Sequence, residues 1–109
     1  MIWIGELKNL KNYPYPVHRE NDINTEYEKE EKITSQPKTF SDNVFINDLG
    51  SVRGCDITSD NSLYSGKSNV YVNDYPMQMM SSPIKENEGC VKTGSPNVFA
   101  SQMDKCKKE

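Results

Sequence analysis

Asn43-Val44-Phe45-Ile46-Asn47-Asp48 returns as Asn69-Val70-Tyr71-Val72-Asn73-Asp74 and, cut short, as Asn97-Val98-Phe99-Ala100. The copies start 26 and then 28 residues apart. Within the first two copies β-branched residues alternate with an aromatic one at a period of two, which reads as a short strand with one buried face. Asn47-Asp48 and Asn73-Asp74 are turn residues that tolerate positive φ. A returning half-motif follows the first two copies: Leu49 to Ile57, and Tyr75 to Met79. A related half-motif stands early and without a partner, from Tyr15 to Ile23. It shares an Arg and an Asp-Ile pair with the first (Arg19 and Arg53, Asp22 and Asp56, Ile23 and Ile57) and Tyr-Pro with the second. The repeating unit is therefore strand, two-residue turn, strand, longer loop. One such hairpin is unstable alone, but three can bury one another around an axis.

Composition agrees. The chain has 109 residues, enough for one small domain. Leu, Ile, Val and Phe number 21, so the core is thin, and the net charge of −3 is too small to hold the chain unfolded. A core this thin needs help from a metal, a partner or oligomerisation. One Ala and four Leu stand against seven Val, seven Ile, five Thr and six Tyr, which favours strands over helices. Eleven Asn and eleven Ser supply turns. The expected class is all-β.

Other classes are disfavoured. No apolar run is long enough for a membrane-crossing helix. The opening residues lack the basic and long apolar regions of a secretory signal, so none is expected. Two Arg and a pI near 5.2 disfavour nucleic acid as a partner. Three cysteines, Cys55, Cys90 and Cys106, form an odd set; the expectation is reduced thiols, or one or two of them on a metal. His18 is the single His and has Arg19 beside it, which does not favour a general base. No phosphate-binding loop is present, and no small-molecule substrate is expected. An enzyme is thus not expected; a catalytic role for His18 stays in reserve, tested by replacing it. Met77, Met79 and Met80 read as an apolar face. The charged run from Asn24 to Thr39 reads as a solvated loop, and the Lys-rich end from Asp104 as frayed. Met1 to Asn12 is either a capping strand or an anchor.

Gly94-Ser95-Pro96-Asn97-Val98-Phe99 resembles the signature strand of PAAR-repeat proteins, with Asn43–Asp48 and Gly66–Asp74 as further copies. Pro16-Val17-His18-Arg19 and Ser51-Val52-Arg53 resemble the returning segment. The resemblance spans residues 15–101, leaving 1–14 as an extension and 102–109 as a tail. The Pro-Ala-Ala-Arg tetrapeptide itself is absent, and Asn-Asp replaces the family's Asn-Gly turn. The resemblance implies a small cone of three pseudo-repeated β-hairpins that caps a trimeric β-helical spike. One copy would sit on each homotrimeric central spike protein and meet the target cell membrane only transiently. The implied role is a structural spike tip. With no toxin domain fused within these 109 residues, the expected place is a phage tail baseplate in the virion; a type VI secretion apparatus is the alternative.

The candidate docking residues are Asn43, Val44, Phe45, Ile46, Asn69, Val70, Tyr71, Val72, Asn97, Val98 and Phe99. Which of them face the core is left open, and the three Asn are expected to close their hairpins by side-chain bonds to backbone. The family's zinc site uses three His and one Cys. Cys90 is the candidate ligand here and Cys55 a substitute. Tyr27 and Tyr64 stand near places where His is expected, so the alternative is an apex held by packing, with no cofactor. A reading from another class is an adaptor that binds a peptide or effector by strand addition, without a fixed one-to-three stoichiometry.

Overall fold

The computed structural model describes residues 14–28, 31–85 and 88–106. Ten short strands and no helix make up the described chain. They are β1 (Pro14–Pro16), β2 (Asn24–Glu28), β3 (Glu31–Ser35), β4 (Phe45–Ile46), β5 (Leu49–Gly50), β6 (Tyr71–Val72), β7 (Tyr75–Pro76), β8 (Pro83–Ile84), β9 (Gly89–Val91) and β10 (Phe99–Ser101). The all-β class is as expected.

The repeated motif forms hairpins at two places. Phe45 pairs with Gly50 and Ile46 with Leu49. Tyr71 pairs with Pro76 and Val72 with Tyr75. The Asn-Asp turns take positive φ at both residues, 54° and 68° in the first and 52° and 72° in the second. That backbone suits the twist of a two-residue hairpin, and Asn and Asp tolerate it. The third copy has no turn of its own. β10 pairs instead with β1, Phe99 on Pro16 and Ala100 on Tyr15. The two orphan half-motifs of the sequence thus find each other across the whole chain.

Beyond each pair the chain continues into a three-residue segment: 17–19, 51–53 and 77–79. These segments join end to end in a closed cycle. Val17 bridges Met79, Arg53 bridges Met77, and Arg19 bridges Ser51. At the middle positions Val52 N–H donates to His18 C=O (3.2 Å), Gln78 N–H to Val52 C=O (2.9 Å) and His18 N–H to Gln78 C=O (3.0 Å). All three middle residues are fully buried. Flanking bonds repeat the pattern. Ser51, Met77 and Val17 donate to the carbonyls of Val44, Val70 and Val98 at 2.8–3.1 Å. Glu20, Gly54 and Met80 donate to Gly50, Pro76 and Pro16.

Two apolar clusters flank this cycle. One holds Val17, Val72, Met77 and Met79, with Val44, Ile46, Val98 and Ala100 packed on it. The other holds Val52, Tyr64, Ile84 and Val91. Met77 and Met79 are core, as an apolar face requires, while Met80 is exposed. Among the described residues ten buried side chains are hydrophobic and sixteen are polar or charged. Hydrogen bonds must therefore carry much of the interior, because each unpaired buried polar group would be costly.

Three expectations are corrected. Asn24 to Thr39 is not a loop: β2 and β3 pair antiparallel and lie in a four-stranded sheet of order β3-β2-β9-β8. Thr25, Tyr27, Ile33 and Thr34 supply the strand character, and Glu26 turns inward, buried, to accept a bond from the Ser35 hydroxyl. Nor is the end frayed as far as Cys106. Gln102 and Cys106 are buried, and Cys106 forms a disulfide with Cys90, so these two thiols are not reduced. An odd count leaves one cysteine over but does not stop the other two from pairing; Cys55 is free. The Met1 to Asn12 segment lies outside the described residues.

Two of the three segments carry an arginine clamp. Arg19 Nε donates to Asp22 at 2.9 Å and Arg53 Nε to Asp56 at 2.9 Å. The third segment has Met79 and Ser82 at these places, with Met79 N–H donating to Ser82 Oγ at 3.0 Å. Asp56 is 2% exposed, so removing its partner strands a buried charge. Arg53→Met is expected to cost about 3 kcal/mol in urea unfolding. The double variant Arg53→Met/Asp56→Ser, which copies the third segment, is expected to recover at least half of that loss.

Candidate functional site

The repeated strands are the candidate docking elements, and the structure divides them by face. Val72 is 4% exposed, and Val44, Ile46 and Val98 pack on the core. Phe45 (55%) and Tyr71 (63%) face outward, and Val70 (38%) and Tyr75 (47%) are partly exposed beside them. Phe99 is half-buried. Phe45, Tyr71 and Phe99 hold equivalent places: their strand partners are Gly50, Pro76 and Pro16, each one residue before a segment of the cycle. The surface thus carries three related aromatic positions.

Asn43 and Asn97 do not close their own hairpins. That task falls to serines, whose Oγ accepts the backbone N–H of Val44 (2.9 Å, from Ser41), Val70 (3.0 Å, from Ser68) and Val98 (2.9 Å, from Ser95). The Asn side chains instead tie one unit to the next. Asn73 Nδ2 donates to Asn43 Oδ1 (2.9 Å), while Asn73 Oδ1 accepts from Ser41 Oγ (2.8 Å) and Arg53 Nη1 (3.0 Å). Asn47 does the same toward Asn97, Ser95 and Arg19. The turn asparagines therefore set φ and also lock neighbouring hairpins. Among the described residues Asn69 makes no equivalent contact, because the third unit has no Asn-Asp turn to offer one. The serines were missed in the sequence. Their signal was the Ser two or three residues ahead of each Val.

Beneath this surface lies a buried polar chain. His18 is fully buried. Its Nδ1–H donates to the Thr93 carbonyl at 2.8 Å, so Nε2 accepts from the Tyr64 hydroxyl at 3.3 Å. Asn24 Nδ2 donates to Tyr64 Oη (2.8 Å) and to Ser35 Oγ (3.2 Å), and Ser35 reaches Glu26. Burial pushes the Tyr64 hydroxyl pKa up. Burial also drives the His18 pKa down to about 4, against the opposing pull of the Thr93 carbonyl and Asp22. His18 is thus a neutral ring with both nitrogens engaged, which suits a structural strut. Tyr64 fills interior volume, while Tyr27 is half-buried on β2.

Cys90, the candidate metal ligand, is committed to the disulfide, which leaves no thiolate for a metal. Cys55 is half-buried, with its thiol pKa pushed up by burial and by Asp56, away from the thiolate a ligand needs. Among the described residues no group of three or more His, Cys, Asp and Glu is placed to hold a metal ion. No family model, curated protein or solved structure matches this chain.

The His18 shift has a definite sign. The folded state binds its proton less well than the unfolded chain, so the contribution is whole above the unfolded pKa of 6.5 and falls as pH drops toward 4. Between pH 7 and pH 5 the protein is expected to lose about 2 kcal/mol of stability through this group. In His18→Gln, which copies the Gln78 place in the cycle, that slope is expected to vanish. Urea unfolding at the two pH values measures it.

Proposed function

We propose that this chain is a structural tip that caps a homotrimeric β-helical spike, one copy per trimer. The observation that supports the reading is the closed cycle of backbone bonds through His18, Val52 and Gln78. A cycle of three like segments in one chain makes a pseudo-threefold axis, and with its paired strands it suits the small cone of the PAAR-like architecture. A trimer ends in three equal faces, and a monomer with three like sectors can offer each of them a similar surface.

The chemistry of the outer surface fits that partner. Phe45, Tyr71 and Phe99 recur at equivalent places, and aromatic side chains are the usual anchors of buried interfaces. The two-stranded hairpins leave outer strand edges that can extend a β-ladder. The inside fits a mechanical load: the turns, serines and arginines cross-link the three units with directional bonds. The role needs stiffness and no catalytic step. In this reading the working place is the tip of a phage tail baseplate, with a type VI apparatus as the alternative, and contact with the target membrane is brief.

The test is composition. Assembled spikes purified with this chain are expected to give a native mass of one copy per three spike subunits. A one-to-one ratio, or free exchange of the chain among monomeric partners, overturns the tip and favours an adaptor. The double variant Phe45→Asp/Tyr71→Asp is expected to enter assembled particles at least ~10-fold less, with its far-UV circular dichroism unchanged.

A further inference from the structure

Residues 102–106 lie against residues 67–68 and 81–82, the latter just after the one segment of the cycle that has no arginine clamp. Gln102 bridges Ser68, and its Nε2 donates to Ser82 Oγ at 3.4 Å. Ser82 holds the place of Asp22 and Asp56, which take the guanidinium in the other two segments. Met103 N–H donates to Lys67 C=O (3.1 Å), Lys67 N–H to Asp104 Oδ1 (2.8 Å), and Cys106 N–H to Ser81 C=O (2.7 Å). Met103 is 58% exposed, and Lys105 is exposed too. Apart from Gln102 and Cys106, this stretch buries little. A handful of hydrogen bonds is roughly offset by the entropy of ordering five residues, which leaves the covalent link to Cys90 to decide whether the stretch stays down.

We propose that Cys90–Cys106 is a thiol-responsive latch, which straps residues 102–106 over the Ser81–Ser82 sector when closed and releases them when reduced. A dithiol opens it. One thiolate attacks a cysteine sulfur, giving a mixed disulfide and a free cysteine thiolate, which takes up a proton. The second thiol then displaces the remaining cysteine, leaving two protein thiols and an oxidised, cyclic reductant. A small-molecule disulfide closes it by the reverse exchange, oxidising both cysteines and leaving two small thiols. Cys90 and Cys106 are both buried, so either exchange waits on local opening of the strap. Cys55 stands outside the bond.

The experiment compares the full chain after oxidised glutathione and after dithiothreitol. Thiol titration under denaturing conditions, after removal of the small molecules, is expected to find at most one thiol in the first (none where Cys55 carries glutathione) and three in the second. On reduction the amides of Met103 and Cys106 are expected to exchange hydrogen at least ~10-fold faster, while those of the central cycle stay protected. The Tm is expected to fall by roughly 10 °C. Cys106→Ser is expected to match the reduced protein whether or not reductant is present. Three thiols after oxidised glutathione, unchanged exchange at residues 103 and 106, or unfolding of the whole chain on reduction each overturns the latch.

Discussion

Three backbone hydrogen bonds, passed from His18 to Val52 to Gln78 and back, govern this structure. Each of these residues gives its N–H to one neighbour and its carbonyl to the other, so no member can shift without breaking two bonds. Their complete burial makes that loss expensive, because no water stands ready to replace a partner. Everything else hangs from this closed cycle. The hairpins leave its corners, the arginine clamps brace two of its segments, and the disulfide-tied strap is bonded to the two serines that follow the third. A chain poor in apolar side chains can hold such an arrangement because the restraints are directional and mutually dependent.

Much of this was legible in the sequence. The alternation in Asn43–Asp48 and Asn69–Asp74 gave the strands, and Asn-Asp gave the turns, since few other pairs accept positive φ at both positions. The recurrence of Arg and Asp in the early and middle half-motifs is plain in the sequence, but that each Arg clamps its own Asp is seen only in the structure. What stayed hidden was long-range. Nothing local says that β1 completes the unit begun by β10, because their pairing joins residues some eighty positions apart. The β2–β3 hairpin was masked by charge: Glu26 looks like a solvated residue until Ser35 is seen facing it. The Cys90–Cys106 bond was obscured by counting, which treats cysteines as a set when pairing depends on which two meet in space.

The docking strands were half legible. Period-two alternation separates two faces but cannot say which is inside, and here the branched residues Val44, Ile46, Val72 and Val98 turn inward while Phe45 and Tyr71 turn out. Large aromatic residues on the outside of a chain short of core material are costly unless a partner covers them. That imbalance, set on a cycle of three, is the physical link between the fold and the proposed seat on a threefold shaft. It also explains why the interior is built from serine hydroxyls, asparagine amides and a neutral histidine: the apolar groups are divided between two small clusters and an outer face.

The most direct test of the central cycle is amide hydrogen exchange, read residue by residue by NMR on the oxidised protein. The amides of His18, Val52 and Gln78 should exchange together, at the slow rate set by global unfolding. If any one of the three exchanges orders of magnitude faster than the other two, the cycle is open and the account fails.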